Sequence, residues 1–99
     1  MEQLTVVKIG GNIIDNPTEL EQFLTLFEQL EGKKILVHGG GKIATQLSHQ
    51  MGLQPVLLDG RRITDAEMLK VVTMVYAGLT NKTIVAQLQA KNVNAIGLS

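Results

Sequence analysis

Two passages in the first half of this chain run from a short β-branched stretch through consecutive glycines into a helical pattern. That order leaves few folds open. Leu4-Thr5-Val6-Val7-Lys8-Ile9 has the length and composition of a buried strand and is closed by Gly10-Gly11. Lys34 to His38 reads as a second strand, closed by Gly39-Gly40-Gly41. Strands separated by helices call for a mostly parallel sheet with right-handed crossovers. Aromatics make up only 3% of the chain, so the core must come from Val, Ile, Leu and Met, as suits an α/β layer fold. The predicted class is α/β: a mostly parallel sheet with helices on both faces and one β-hairpin.

The helices carry readable ends. Asn16 is placed as an N-cap, Pro17 as the first helical residue and Glu19 as the capping-box acid, with Gly32 as the stop. Leu20, Phe23, Leu24, Phe27 and Leu30 fall on one face of that helix. A second helix is predicted over about 42–51, ended by Gly52. Asp59-Gly60, between Pro55-Val56-Leu57-Leu58 and Arg61-Arg62-Ile63, predicts a hairpin with a type I′ turn. A third helix, about 64–79, starts at a Thr64 cap with Glu67 completing the capping box. It is apolar around most of its circumference and so predicts covering on more than one side. A fourth helix, about 82–91, and a last strand, Asn94 to Leu98, finish the pattern. A parallel sheet that stops at that strand leaves an unpaired edge, so the chain reads as unfinished.

Composition removes several classes of function. Nine Lys plus Arg balance nine Asp plus Glu, so no net charge draws the chain to nucleic acid or to a membrane surface. Any anion binding must be local. No cysteine is present, which excludes disulfides and thiolate zinc sites, and a cytoplasmic location is the natural expectation. There is no signal-peptide pattern and no apolar run near the roughly 20 residues of a transmembrane helix.

Three constellations can carry chemistry. In Lys8-Ile9-Gly10-Gly11, a lysine near the end of a strand must bring its ammonium to water or to an anion. The glycines after it can present backbone N–H groups to a phosphate. A lysine snorkelling past a structural turn would look the same. In His38-Gly39-Gly40-Gly41, three glycines remove every Cβ between a strand and a helix N-terminus, which opens the backbone to an anionic ligand. A plain βα turn needs only one. His38 fits a packed or hydrogen-bonded role better than a metal ligand, because His49 lies a helix away with no carboxylate cluster, and no metal site is predicted. In Arg61-Arg62, adjacent strand residues point to opposite faces, so one guanidinium can grip a carboxylate while the other meets solvent. A solvated basic turn is the bland alternative. Gly39-Gly40-Gly41-Lys42-Ile43-Ala44 also satisfies the dinucleotide fingerprint, with Asp59 some way on. Asp59 lies in a hairpin turn, however, and the motif follows the second strand, so a Rossmann site is disfavoured.

In this order and spacing, the three constellations resemble the amino acid kinase superfamily. Its members share Lys-x-Gly-Gly on the first strand. Within it, Val37-His38-Gly39-Gly40-Gly41, the hairpin Asp59-Gly60-Arg61-Arg62-Ile63-Thr64-Asp65 and the stretch Ala77-Gly78-Leu79-Thr80-Asn81-Lys82 look like the acetylglutamate kinases. The resemblance implies ATP-dependent phosphorylation of the side-chain carboxylate of N-acetylglutamate or a related N-acylglutamate, in arginine biosynthesis. It further implies that Lys8 contacts the transferring phosphoryl group and that Gly10 and Gly11 hold ATP phosphates. Gly40 and Gly41 would bind the acylglutamate, and Arg62 would grip its α-carboxylate. ATP would enter with Mg2+. Residues 1–99 correspond to the N-terminal, acylglutamate-binding part of such a domain. The ATP-binding C-terminal part is expected beyond Ser99, and the chain alone is expected to be inactive. A homodimer through the helix at about 65–79 is expected. Rival readings are a kinase of the same superfamily acting on carbamate, aspartate, glutamate or UMP, and a non-catalytic small-ligand or dinucleotide-binding domain.

Overall fold

The computed structural model describes residues 3–53, 56–59, 61–63 and 65–99, with the backbone alone at 56–58 and 61–63. Strand β1 (Leu4–Ile9) pairs in parallel with β2 (Lys33–His38), in a register that sets Ile9 opposite His38. Both strands therefore end at the same edge. A short helix α1 (Gly11–Ile14) and the longer α2 (Pro17–Gln29) form the crossover between them. Helix α3 (Ile43–Gln50) leads to an antiparallel hairpin of β3 (Val56–Leu58) and β4 (Arg61–Ile63). The α/β class, the parallel pair and the hairpin match the sequence expectation. Asp59 adopts a φ of 52°, as a primed turn requires. Pro55 and Gly60, also assigned to the hairpin, lie outside the described residues.

The expected start of α2 is present. Asn16 Oδ1 accepts from the N–H groups of Thr18 and Glu19, both at 3.1 Å. Its other end is closed by more than Gly32 (φ 85°). The Lys34 ammonium donates to the carbonyls of Phe27, Glu28 and Leu30, at 2.7, 3.1 and 2.8 Å. A cation from the following strand thus occupies the negative end of the helix. Leu20, Leu24 and Phe27 are buried from the predicted face, whereas Leu30 sits past the last turn and is exposed.

Residues 66–90 differ from expectation. Instead of two helices there is one continuous run: α4 (Ala66–Val72), a π-helical stretch over Thr73–Thr80, and α5 (Asn81–Ala90). Thr80 and Asn81 keep right-handed helical dihedrals, so nothing separates the segments. The spacing of the buried residues explains the π geometry. Met68, Val71, Val75, Thr80, Ile84 and Leu88 are buried, and the interval between Val75 and Thr80 is the long one. An i→i+5 turn there keeps both halves of the stripe facing inward. The first half packs on Ala44 in one cluster, while Ile84 and Leu88 join Ile9, Ile14, Leu20, Leu24 and Phe27 in another. The start of this run is also corrected. Thr64 lies outside the described residues, and the N-cap is Asp65, whose Oδ1 accepts from Met68 N–H at 2.8 Å. Glu67 pairs with Lys70, at 3.2 Å, and the predicted capping box with Thr64 lies outside the described residues.

Two further expectations fail. Strand β1 alternates instead of being buried throughout, and only Ile9 is fully covered. Thr5, Val7 and Ile9 face the helices, whereas Leu4, Val6, Ile35 and Val37 are exposed on the other face. The segment Asn94 to Leu98 is not a strand. Its exposure alternates as a strand's would, but its carbonyls are taken by helix side chains. Gln89 donates to Ala95 O at 3.1 Å and Asn81 to Leu98 O at 3.3 Å, with Lys82 reaching Gly97 O at 3.5 Å.

Candidate functional site

Because β1 and β2 are parallel and in step, Gly10-Gly11 and Gly39-Gly40-Gly41 leave the sheet side by side at the carboxyl ends of the strands. Open α/β sheets place their ligands there. The two loops touch. A Cβ on Gly11 would lie 3.1 Å from Gly41 Cα, a tight contact that glycine avoids where the backbones approach this closely. Gly10 and Gly39 have no described atom within 4 Å of where a Cβ would stand, and their backbone is open to an incoming group.

Gly40 and Gly41 have structural partners that the sequence did not reveal. A Cβ on Gly40 would fall 1.9 Å from Tyr76 Cε1, because the π-helical stretch brings that ring onto the loop. Gly41 adopts a φ of 60°, and a Cβ there would meet Asp15 Oδ1 at 2.2 Å. The Asp15 carboxylate accepts from Lys42 N–H, at 2.9 Å through Oδ1 and 3.2 Å through Oδ2. Asp15 follows α1, so its carboxylate clasps the first glycine loop to the second. It also supplies the negative charge that the start of α3 favours, since no side chain of α3 itself caps that end.

Lys8 lies in β1 directly opposite Val37, on the exposed side of the pair. The expectation of a costly lysine inside a buried strand is therefore corrected: alternation brings its ammonium to solvent, two residues before the glycines. Arg61 and Arg62 lie in β4, opposite Leu58 and Leu57. The direction of their side chains, and so the assignment of one to a crevice, lies outside the described residues. His38 is hydrogen-bonded, as expected. Its Nδ1 is 2.7 Å from Gly39 O and its Nε2 is 3.2 Å from Asn81 Nδ2. No group of three or more potential metal ligands occurs among the described residues.

A groove of about 1020 Å³ runs along the free edge of β2, between that strand, the 72–88 part of the helix and residues 93–99. It borders the glycine loops only through His38, and neither Lys8 nor any loop glycine from 10 to 41 except Gly32 lines it. The groove follows an unpaired strand edge, whereas the chemistry gathers at the strand ends.

The family model described as "Amino acid kinase family" matches residues 3–99. This chain belongs to the amino acid kinase family. Among curated relatives, the acetylglutamate kinase of Cytophaga hutchinsonii is 60% identical over 99 residues, which is 100% of this chain and 38% of that protein. The acetylglutamate kinase of Phocaeicola vulgatus is 59% identical over 98 residues, 99% of this chain and 38% of that protein. The chain thus spans about two fifths of the length of these relatives. The crystal structure of smu.665 from Streptococcus mutans superposes with a TM-score of 0.74 at 21% identity, over 100% of this chain and 41% of that one. That likeness is one of fold.

As an amino acid kinase family member, the chain keeps its glycine loops where the first strands end, and sequence reading found both. It missed Asp15, Tyr76 and Asn81. Asp15 lies between α1 and the Asn16 N-cap, where no local pattern marks it. Tyr76 stands between Val75 and Ala77 in the predicted helix at about 64–79, where an aromatic residue reads as one more apolar position. Asn81 is the residue for which a signal existed, since a polar residue one step from the Thr80 position of a buried stripe has to find partners inside.

Proposed function

We propose that the protein phosphorylates the side-chain carboxylate of N-acetylglutamate, or a related N-acylglutamate, at the expense of ATP. This is an early reaction of arginine biosynthesis. The observation that carries the reading is the contact between the two glycine loops at Gly11 and Gly41. A phosphoryl donor held by one loop and an acceptor held by the other would meet end to end. Identity of about three residues in five with acetylglutamate kinases, across the whole chain, supports this assignment.

In this reading Gly10 and Gly11 donate N–H groups to ATP phosphates. Gly40 and Gly41 do so to the acylglutamate, whose α-carboxylate Arg62 grips. Lys8, free on the exposed side of β1, extends past the strand end to the transferring group. The acceptor carboxylate is already ionised at neutral pH, so no general base is needed. One of its oxygens attacks the γ-phosphorus, the bond to the β–γ bridging oxygen breaks, and ADP leaves with that electron pair. Catalysis rests on positioning and on cationic and N–H groups matched to the charge of the transferred phosphoryl. ATP enters as its magnesium complex. The remaining parts of the ATP site belong to polypeptide that the relatives have and residues 1–99 do not. Leu69, Met74 and Leu79 are exposed along the helix, which supports a homodimer through that surface. The proposed location is the cytoplasm.

The test is ADP release by the full-length protein with N-acetylglutamate, carbamate, aspartate, glutamate or UMP as acceptor, alongside titration with NAD. Turnover with N-acetylglutamate and with none of the others is expected. Turnover on another acceptor, or binding of NAD without turnover, would overturn the assignment.

A further inference from the structure

We propose that Asn81 and His38 act together as positioning residues that aim the Gly40 N–H into the site. Asn81 holds the His38 ring in its neutral Nδ1–H form, and that N–H fastens the Gly39 carbonyl.

The assignment follows from what each partner can do. His38 Nδ1 lies 2.7 Å from Gly39 O, and a carbonyl only accepts, so Nδ1 must carry a proton. His38 Nε2 lies 3.2 Å from Asn81 Nδ2, which only donates, so Nε2 must present its lone pair. The orientation of the Asn81 amide is fixed independently at both of its ends. Lys82 Nζ, a donor only, sits 2.9 Å from Asn81 Oδ1. Leu98 O, an acceptor only, sits 3.3 Å from Asn81 Nδ2. Turning the amide over would set oxygen against Leu98 O and nitrogen against an ammonium. One tautomer and one amide orientation satisfy all four contacts.

The consequence falls on the glycine loop. Every peptide bond described is trans, so the Gly39 C=O and the Gly40 N–H, which share a plane, point in opposite directions. With the carbonyl turned back to the His38 ring, the Gly40 N–H is turned away from it. The Gly39 side of that plane has no described atom around its Cβ position, while the Gly40 side rests against the Tyr76 ring, so the His38 contact is what holds the carbonyl end. If the ring took its Nε2–H form, a lone pair would face the Gly39 carbonyl and release it. Asn81 is 9% exposed and lies at the junction of the π-helical stretch with α5, which gives it a rigid base. Only the effect on ligand affinity rests on reading Gly40 as an acylglutamate contact. The ring form and the loop geometry do not.

The experiment has two arms on the full-length protein. The first is the ¹⁵N spectrum of the histidines at about pH 8, above the ordinary histidine pKa of about 6.5. The His38 signals are those lost in His38→Phe. A protonated Nδ1 and an unprotonated Nε2 are expected for His38, and an Nε2–H ring would overturn the proposal without reference to any ligand. The second arm compares Asn81→Leu, His38→Phe and the double variant. Each single change should move the Gly40 amide resonance of the free protein and weaken N-acetylglutamate binding about tenfold, with little change for ATP. The double variant should lose no more than either single one, because the two residues act as a unit. Additive losses, or an unmoved Gly40 resonance, would overturn the proposal. If the wild-type protein binds no N-acetylglutamate, the functional reading fails, and the ring form and the Gly40 resonance still decide the positioning role. The wild-type spectrum needs no variant to fold.

Discussion

Replacing Gly40 with alanine isolates one contact that the structure makes unusually specific. Gly40 does not need a positive φ, so alanine adds no backbone strain and its whole cost is steric. The new methyl carbon would stand 1.9, 2.2 and 2.6 Å from Cε1, Cδ1 and Cζ of Tyr76. Carbon atoms rest at about 3.5–4.0 Å, so the ring has to withdraw by about 1.5–2 Å. Rotation about χ2 alone cannot relieve the clash, because Cζ lies on that axis and stays 2.6 Å away. Forced overpacking of this kind costs about 1–3 kcal/mol. For a protein of the relatives' length, of which this chain spans 38%, about 2 kcal/mol lowers the melting temperature by roughly 4–8 °C. In urea it lowers the midpoint by about 1 M, with an unchanged slope of about 2 kcal/mol per molar. The decisive measurement repeats Gly40→Ala in a Tyr76→Ala background, where the added methyl meets empty space. A coupling of about 1–3 kcal/mol between the two changes is expected. If Gly40→Ala costs as much without the Tyr76 ring as with it, the ring is not what makes glycine necessary, and the described packing of the π-helical stretch on the loop is wrong.

Asp15→Ala should destabilise the chain by about 0.5–2 kcal/mol, as loss of a helix cap does, while Asp15→Asn should retain most of the stability. Equal urea midpoints for wild type and Asp15→Ala would show that the clasp onto Lys42 N–H contributes nothing. On the proposed function, Lys8→Ala should lower kcat about 10²–10³-fold with little change in acylglutamate binding, and an unchanged kcat would make Lys8 structural. Arg62→Lys should raise the KM for N-acetylglutamate by more than that for ATP, because an ammonium cannot make the two-pronged carboxylate contact. An equal effect from Arg61→Lys in steady-state kinetics would refute the choice of Arg62.

What was legible in the sequence is what depends on near neighbours. Asn16 caps α2 through residues two and three positions on, and Pro17 fits because the first helical N–H has no partner to lose. The hairpin followed from Asp59-Gly60 for the same reason. Lys34 reaches the α2 carbonyls from nearby but only once the chain has turned at Gly32, whereas Asp15 on Lys42 and Tyr76 on Gly40 join residues across a crossover or between layers. No local pattern encodes such contacts. The Asn94–Leu98 segment shows the limit from the other side. Its alternation is that of a strand, yet a strand exists only where another strand offers a ladder, and here side chains of α5 take its carbonyls.

The helical run shows how a misread period conceals a site. Treated as two helices, residues 66–90 give one stretch apolar all round and a second with an ordinary stripe. Treated as one helix with a single five-residue interval between Val75 and Thr80, the same residues give one continuous inward face. The extra residue in that turn brings Tyr76 onto the glycine loop and Asn81 beside His38. Both residues that reach the loop from this helix therefore flank or lie within the π-helical stretch. The irregularity that defeated the periodicity argument is thus the same feature that ties the helix to the strand ends. Restoring a regular α-helical period there would rotate Asn81 relative to Tyr76, five residues earlier, so that the two could no longer share the loop-facing side.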